Sequence, residues 1–114
     1  MTVEEYVKKD IDYLNPNALA EDLAMTSAMY YTASSKLAEL TKQYTDALAK
    51  KMLEAENMQI NAKAKEQVAK SNCSDLKELV DKATSIIYSL EMRQKTLITL
   101  ISKAKEEMRM TQGG

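Results

Sequence analysis

Apolar residues recur along most of this chain at alternating steps of three and four residues. Between Pro16 and about Ala69 there is no glycine and no further proline, and the series runs Leu19, Leu23, Thr26, Tyr30, Ala33, Leu37, Leu40, Tyr44, Ala47. This heptad spacing puts one stripe along an α-helix, as in a coiled coil. After Tyr44 the better continuation is Leu48, Met52, Ala55, Met58, Ala62, which inserts a four-residue step near Leu48. The pattern predicts a long helix over about residues 16–70.

A second heptad series follows a short polar segment. Lys70 to Asp75 is the only interior cluster of cap and turn residues, and Asn72 or Ser74 can cap a new helix. The stripe then runs Leu76, Val80, Ala83, Ile87, Leu90, Gln94, Leu97, Ile101, Ala104, Met108, with Gln94 as its polar member. We therefore predict a turn at about 71–74 and a helix over about 75–110, antiparallel to the long helix.

The first residues predict a short separate helix. Thr2 and Glu5 have the spacing of a capping box, so a helix is expected over about 3–14. Asn15 and Pro16 then provide an N-cap and a first helical residue for the long helix. The expected fold is all-α, one domain over residues 1–114, in which a long coiled-coil-like hairpin follows a short amino-terminal helix.

The last predicted helix has a wider apolar face than one partner helix can cover. Leu79, Ile86 and Leu100 lie beside the seam residues Leu97 and Ile101. We expect these five side chains to form an interface between copies of the chain in an oligomer. The alternative is that the short amino-terminal helix folds back over the same face.

Composition argues against an enzyme. The chain has no histidine, its two glycines are both terminal, and it contains no phosphate-cradling loop, no cluster of metal ligands and no nucleophile motif. No cofactor or metal is therefore expected. The one cysteine, Cys73, cannot form an internal disulfide, fits a reducing cytoplasm and is expected to be an incidental thiol. No apolar run approaches the roughly 20 residues of a membrane span, and no signal peptide is expected.

Charge is distributed unevenly although the formal net charge is only −1. Residues 1–22 contain six acids and two lysines, whereas residues 93–109 contain five bases and two acids. Near the predicted turn the lysines are Lys50, Lys51, Lys63, Lys65 and Lys70. Such a track can contact backbone phosphates without reading bases, and the alternative is a face that only keeps the protein in solution.

Several segments together resemble the UvsY family of phage recombination mediators. They are Met52-Leu53-Glu54-Ala55-Glu56 running into Asn61-Ala62-Lys63-Ala64-Lys65, then Asp75-Leu76-Lys77, and the closing Leu97 to Arg109. The similarity covers about residues 19–109. Lys63-Ala64-Lys65 matches the family's DNA-contacting Lys-Ala-Arg segment, with lysine in place of arginine. Lysine is a point charge that lacks the planar guanidinium fork.

The resemblance implies an oligomer that binds single-stranded DNA and helps to load a RecA-like recombinase onto strands coated by single-strand-binding protein. The acidic amino-terminal segment is the candidate surface for those protein partners. A phage-encoded protein of this kind would act in the cytoplasm of the bacterial host. Two alternatives remain: a helical protein-interaction module, such as a phage inhibitor of a host defence protein or a secretion chaperone, and a structural component of an assembly.

Overall fold

The structure, a computed structural model, describes residues 1–113 and the side chains of residues 1–111. It contains four helices: α1 (Val3–Val7), α2 (Pro16–Ala55), α3 (Ala62–Asn72) and α4 (Ser74–Gly113). There is no strand in this part of the chain, and the predicted all-α helical hairpin is confirmed. Residue 114, the last of the predicted domain, lies outside the described residues. None of the helices in residues 1–113 combines the length and the apolar character needed to cross a membrane.

The chain forms two compact units, and α2 and α4 each contribute to both. The first unit comprises Met1–Ala33 and Ile86–Gly114, and the second comprises Ser34–Ser85. In the first unit α1 and the beginning of α2 pack with the later part of α4. In the second unit the end of α2 packs with α3 and the beginning of α4.

The core of the first unit follows the predicted heptads. Leu19 on α2 and Leu90 and Leu97 on α4 are completely or almost completely buried. Burying such side chains contributes roughly 1.5–3 kcal/mol each to folding. The polar seam residue Gln94 is also accommodated, because its Nε2 donates a hydrogen bond to Ser27 Oγ at 3.1 Å.

Helix α1 is shorter than the predicted helix over about 3–14. Its start is as predicted, since the Thr2 hydroxyl accepts from the Glu5 amide at 3.2 Å. It ends at Val7, and the carbonyl of Lys9 accepts a hydrogen bond from Arg93 at 2.6 Å. A carbonyl bound in this way is directed toward a side chain of another helix, so the segment after Lys9 runs as an irregular connection to α2.

The hairpin reverses at residues 56–61, which corrects the predicted long helix to residue 70 and the predicted turn at 71–74. Lys65 Nζ donates to the Glu56 carbonyl at 3.1 Å, and the Lys77 ammonium lies 5.9 Å from the Tyr44 ring centre. These contacts are nested around the reversal, as expected when α2 runs antiparallel to α3 and the start of α4. At the predicted turn the helices are interrupted only at Cys73, with φ −112° and ψ 14°.

The reversal has a local cause in the sequence. Asn61 has an extended backbone, with φ −72° and ψ 165°, and its side chain accepts from the Ala64 amide at 2.8 Å. This is a helix N-cap, which stabilises a new helix start and competes with continuation of the previous helix. At the other end of the reversal, the Met58 amide donates to the Ala55 carbonyl at 2.9 Å, which closes α2 with a tight turn.

Candidate functional site

Four of the predicted DNA-contacting lysines lie on the two sides of the reversal. We call residues 50–65 the hairpin tip: the last turn of α2, the reversal, and the first turn of α3. Lys50 and Lys51 are on α2, and Lys63 and Lys65 are on α3. The early reversal therefore groups lysines from two helices, whereas a turn at 71–74 would have left Lys50 and Lys51 well inside one long helix.

The lysines differ in what they contact. Lys51 pairs with Glu54 at 3.2 Å, and Lys65 binds the Glu56 carbonyl. Within the described residues neither Lys50 nor Lys63 has an ion pair, and both are exposed. Exposed pairs such as that of Lys51 contribute about 0–1 kcal/mol, so a phosphate can displace the carboxylate.

Lys70, the fifth predicted DNA contact, lies outside the tip near the end of α3. Its ammonium pairs with Glu66 at 2.8 Å. This hydrogen-bonded pair raises the pKa of Lys70 and lowers the pKa of Glu66. Lys70 thus has a closer carboxylate partner than Lys51 and lies outside the tip, so of the five predicted lysines it contributes least to the candidate site.

The hairpin tip also exposes apolar side chains. Leu53 is 64% exposed, and Met52, Met58 and Ile60 are each exposed by about 40% or more. Asn57 and Gln59 lie between them in the reversal and are exposed as well. The tip therefore combines positive charge, aliphatic surface and amide groups, but no aromatic ring.

A second polar cluster is buried in the first unit, and we call it the Arg93 cluster. Arg93 is 6% exposed; its Nε and Nη2 bind the two carboxylate oxygens of Asp22 at 2.9 and 2.7 Å. The Tyr6 hydroxyl donates to Asp22, and the Thr26 hydroxyl donates to the same carboxylate at 3.1 Å. The guanidinium carbon lies 4.8 Å from the centre of the Tyr6 ring.

The electrostatics of the Arg93 cluster favour the ion pair. Burial acts to raise the pKa of Asp22, but the hydrogen bonds from Arg93 and Tyr6 overcome it and the pKa is lowered. The hydrogen bond to Asp22 raises the pKa of Arg93 against the opposing effect of burial. Burial and the bond to Asp22 raise the pKa of Tyr6. These side chains meet one another's hydrogen-bonding needs, so the cluster is suited to a structural role in which it holds α1, α2 and α4 together.

The five predicted interface residues occupy different environments. Leu97 is 0% exposed and belongs to the core of the first unit; because a fully buried side chain cannot contact a second copy, this corrects its expected place in an interface. Leu79 is 48% exposed, whereas Ile86, Leu100 and Ile101 are half-buried.

Part of this face of α4 borders the chain's own amino-terminal segment. Leu100 lines a groove of about 690 Å³ together with Val7, Ile11, Tyr13, Tyr88 and Met92, among others. Tyr13 and Tyr88 are about two-thirds exposed at this groove. At this groove, the residues at and after the end of α1 lie beside Leu100 of α4.

The apolar pattern of the sequence did not predict the Arg93 cluster, and it placed Cys73 in a turn. Cys73 is buried at the junction of α3 and α4.

Within residues 1–113 no three cysteine or acidic side chains are arranged to hold a metal ion. No protein family, curated protein or solved structure matches this chain.

Proposed function

We propose that this protein is a non-catalytic binding protein that holds single-stranded DNA at its hairpin tip and, as an oligomer, assists the loading of a RecA-like recombinase. The proposal rests on the resemblance to the UvsY family and on one structural observation. The reversal at 56–61 groups Lys50, Lys51, Lys63 and Lys65, which belong to two different helices.

Lysines grouped in this way suit a phosphate backbone. Each ammonium that contacts a phosphate releases a condensed counterion, which is the main sequence-independent source of affinity for nucleic acid. Lys50 and Lys63 are exposed without an ion pair in the described residues, and the Lys51–Glu54 pair is weak enough to open. Because the net charge is only −1, binding has to depend on a local cluster of positive charge, and the tip is the cluster that we propose.

In this proposal, oligomerisation supplies most of the protein's affinity for DNA. One chain with four lysines binds a flexible strand weakly, whereas several tips in one particle bind the same strand at high effective concentration. Exposed Leu79 and half-buried Ile86 and Ile101 are the proposed contacts between copies. Size-exclusion chromatography with light scattering tests this step, and a monomer at micromolar concentration would contradict it.

The DNA-binding step is tested by fluorescence anisotropy with a labelled single-stranded oligonucleotide at low and moderate salt. We expect Lys63→Ala/Lys65→Ala to lower the affinity by about tenfold or more, because two of the tip's phosphate contacts are lost. Lys36→Ala/Lys42→Ala is the matched control, since both lysines are exposed on α2 in the same unit but outside the tip. Equal effects of the two double variants, or no salt-sensitive binding, would contradict the proposal.

The recombinase or single-strand-binding protein is proposed to contact the acidic amino-terminal segment. Glu4, Glu5, Asp10 and Asp12 are exposed there. Replacing Asp10 and Asp12 by asparagine is expected to weaken capture of the partner while leaving DNA affinity unchanged. Loss of both activities together would indicate that the two surfaces are not separate.

A second candidate function is a protein-interaction module, which the groove between the amino-terminal segment and α4 favours. Exposed Tyr13 and Tyr88 and half-exposed Met92 border an apolar concavity of the kind that accepts an amphipathic helix. A pull-down from host lysate tests this function. Recovery of one stoichiometric protein, with no DNA and no recombinase among the captured material, would favour it over DNA binding if the Tyr88→Ala variant no longer recovered that protein.

A further inference from the structure

We infer that the hairpin tip distinguishes single-stranded from duplex DNA by packing the exposed aliphatic side chains of Leu53, Met58 and Ile60 against unstacked bases. This inference rests on the proposed function and adds the means by which the same site selects one form of the nucleic acid. Lysines alone cannot provide that selection, because both forms present phosphates and the duplex has the higher charge density.

Base faces are the feature that a single strand offers and a duplex hides. Proteins usually contact these faces with aromatic rings. The six tyrosines of this chain are at positions 6, 13, 30, 31, 44 and 88, so the hairpin tip contains none. Leu53, Met58 and Ile60 are, with Met52, the aliphatic side chains available at the tip to pack against a base, and each exposes 40% or more of its surface.

The aliphatic side chains lie between two pairs of lysines along the tip. Leu53 follows Lys50 and Lys51 within one helical turn, and Ile60 precedes Lys63 by three residues. A strand that lays its backbone along the lysines therefore has its bases beside aliphatic surface. Asn57 and Gln59 lie in the same stretch, where their exposed amides can donate to or accept from base edges.

The backbone that presents these side chains is held in place. Ala55 is almost completely buried, the Met58 amide bonds to its carbonyl, and Lys65 ties α3 to Glu56. The aliphatic groups are thus exposed on an ordered turn, which reduces the conformational entropy lost when a ligand binds.

A basic and apolar tip could also contact an anionic membrane, but the observations favour nucleic acid. Glu54 lies in the last turn of α2, Glu56 is the first residue of the reversal, and Asn57 and Gln59 lie within it. Carboxylates and amides at the apolar centre oppose insertion into a lipid interface, where each unpaired polar group is penalised. The two amides can hydrogen-bond a solvated strand, and the charge of Glu54 is offset by its pair with Lys51.

The test compares three labelled ligands of equal length by anisotropy: a single strand, the matching duplex, and a strand of abasic sugars that keeps only the phosphates. For Leu53→Gln/Met58→Gln we expect about a fivefold loss of affinity for the single strand, and less than about a twofold change for the duplex and the abasic strand. Ile98→Gln/Met110→Gln is the matched control, because both residues are exposed on α4 outside the tip. Ile60→Gln, tested alone, provides an independent variant at the tip.

Two results would overturn the inference and leave the proposed function standing. In the first, Leu53→Gln/Met58→Gln and Ile60→Gln keep the unaltered affinity for the single strand while Lys63→Ala/Lys65→Ala loses binding. In the second, the aliphatic variants lose affinity equally for all three ligands. The absence of DNA binding by the unaltered protein would overturn both. Vesicles of phosphatidylserine provide the membrane arm of the test. Flotation with vesicles combined with no preference for the single strand over the abasic strand would also overturn the inference.

Discussion

Arg93 on α4 binds both carboxylate oxygens of Asp22 on α2 in the core of the first unit. Because a guanidinium fork and a carboxylate fit each other in few orientations, this pair fixes the register of the two helices. The remaining Nη1 of Arg93 donates to the Lys9 carbonyl, so the same side chain also holds the connection that follows α1. One arginine therefore links three parts of the first unit.

Replacing Arg93 should be among the most destabilising single changes in the protein. In Arg93→Met, the Asp22 side chain, which is only 15% exposed, loses its cation, and breaking such a pair on one side costs about 3 kcal/mol. We expect this loss in urea unfolding followed by circular dichroism. Arg109→Met is the control, since Arg109 is exposed, and it should change the free energy of unfolding by less than about 0.5 kcal/mol. Similar effects of the two variants would contradict the structural role of Arg93.

The stability supplied by Asp22 should disappear in acid. Its pKa is lowered in the folded protein relative to 3.8, so its contribution is present above that pH and is lost as the pH falls through the folded value. The difference in unfolding free energy between the unaltered protein and Asp22→Asn should therefore shrink below about pH 4. Asp46→Asn, at an exposed position on α2, should differ little from the unaltered protein at neutral pH. A constant difference for Asp22→Asn across the acid range would contradict the prediction.

The stability supplied by Tyr6 should disappear in alkali, which is the opposite pH dependence to that of Asp22. Burial and the hydrogen bond to Asp22 raise its pKa above 10.0, so its contribution is complete below pH 10 and is lost as the pH rises through the folded value. At neutral pH, Tyr6→Phe should destabilise the fold by about 1–2 kcal/mol, because the hydroxyl bonds are removed. That difference should narrow in alkali. Tyr13→Phe, at a largely exposed ring, should show neither effect. A Tyr6→Phe difference that persists unchanged above pH 10 would contradict the assignment.

The heptad pattern predicted the helices and the antiparallel hairpin, but it could not locate the reversal. Apolar residues continue at helical spacing through Met52, Ala55, Met58 and Ala62, although α2 ends at Ala55. The decisive signal was local: Asn61, which caps α3, lies in a stretch that also contains Asn57. Capping by a single side chain outweighs a weak apolar stripe where little surface is buried.

The Arg93 cluster left a trace in the sequence that periodicity alone did not explain. Leu79, Ile86 and Leu100 form a row with seven-residue spacing, and Arg93 occupies the missing position of that row. An arginine in an apolar row indicates a buried partner, but nothing in the sequence identified that partner as Asp22. Such pairing depends on the relative register of α2 and α4, which the misplaced turn would have set incorrectly. The lysines of the tip could be proposed as a site from the sequence, because a cluster of charge can be recognised without knowing how the helices align.

The N-cap at Asn61 provides a direct test of the reversal. Asn61→Ala should lower the free energy of unfolding by about 1 kcal/mol, because the Ala64 amide loses its side-chain acceptor. Asn57→Ala is the matched control, since Asn57 lies in the reversal but does not cap a helix. A turn at 71–74 predicts a different result, in which Asn61 lies inside a long helix and its replacement by alanine stabilises the protein.

The salt dependence of the proposed DNA binding should separate the contribution of the tip's lysines from that of its aliphatic side chains. For a single strand, the logarithm of the binding constant falls against the logarithm of salt concentration with a slope of about −0.7 for each phosphate neutralised. Lys63→Ala/Lys65→Ala should therefore reduce the magnitude of the slope by about 1.4 per chain.

Leu53→Gln/Met58→Gln should lower the affinity without changing this slope, because neither side chain neutralises a phosphate. Anisotropy titrations across a range of salt concentrations measure both quantities for each variant. The lysine control, Lys36→Ala/Lys42→Ala, should retain the unaltered slope. If that control lowered the slope as much as the tip variant, DNA would be bound by lysines distributed along α2, and the hairpin tip would not be a distinct site.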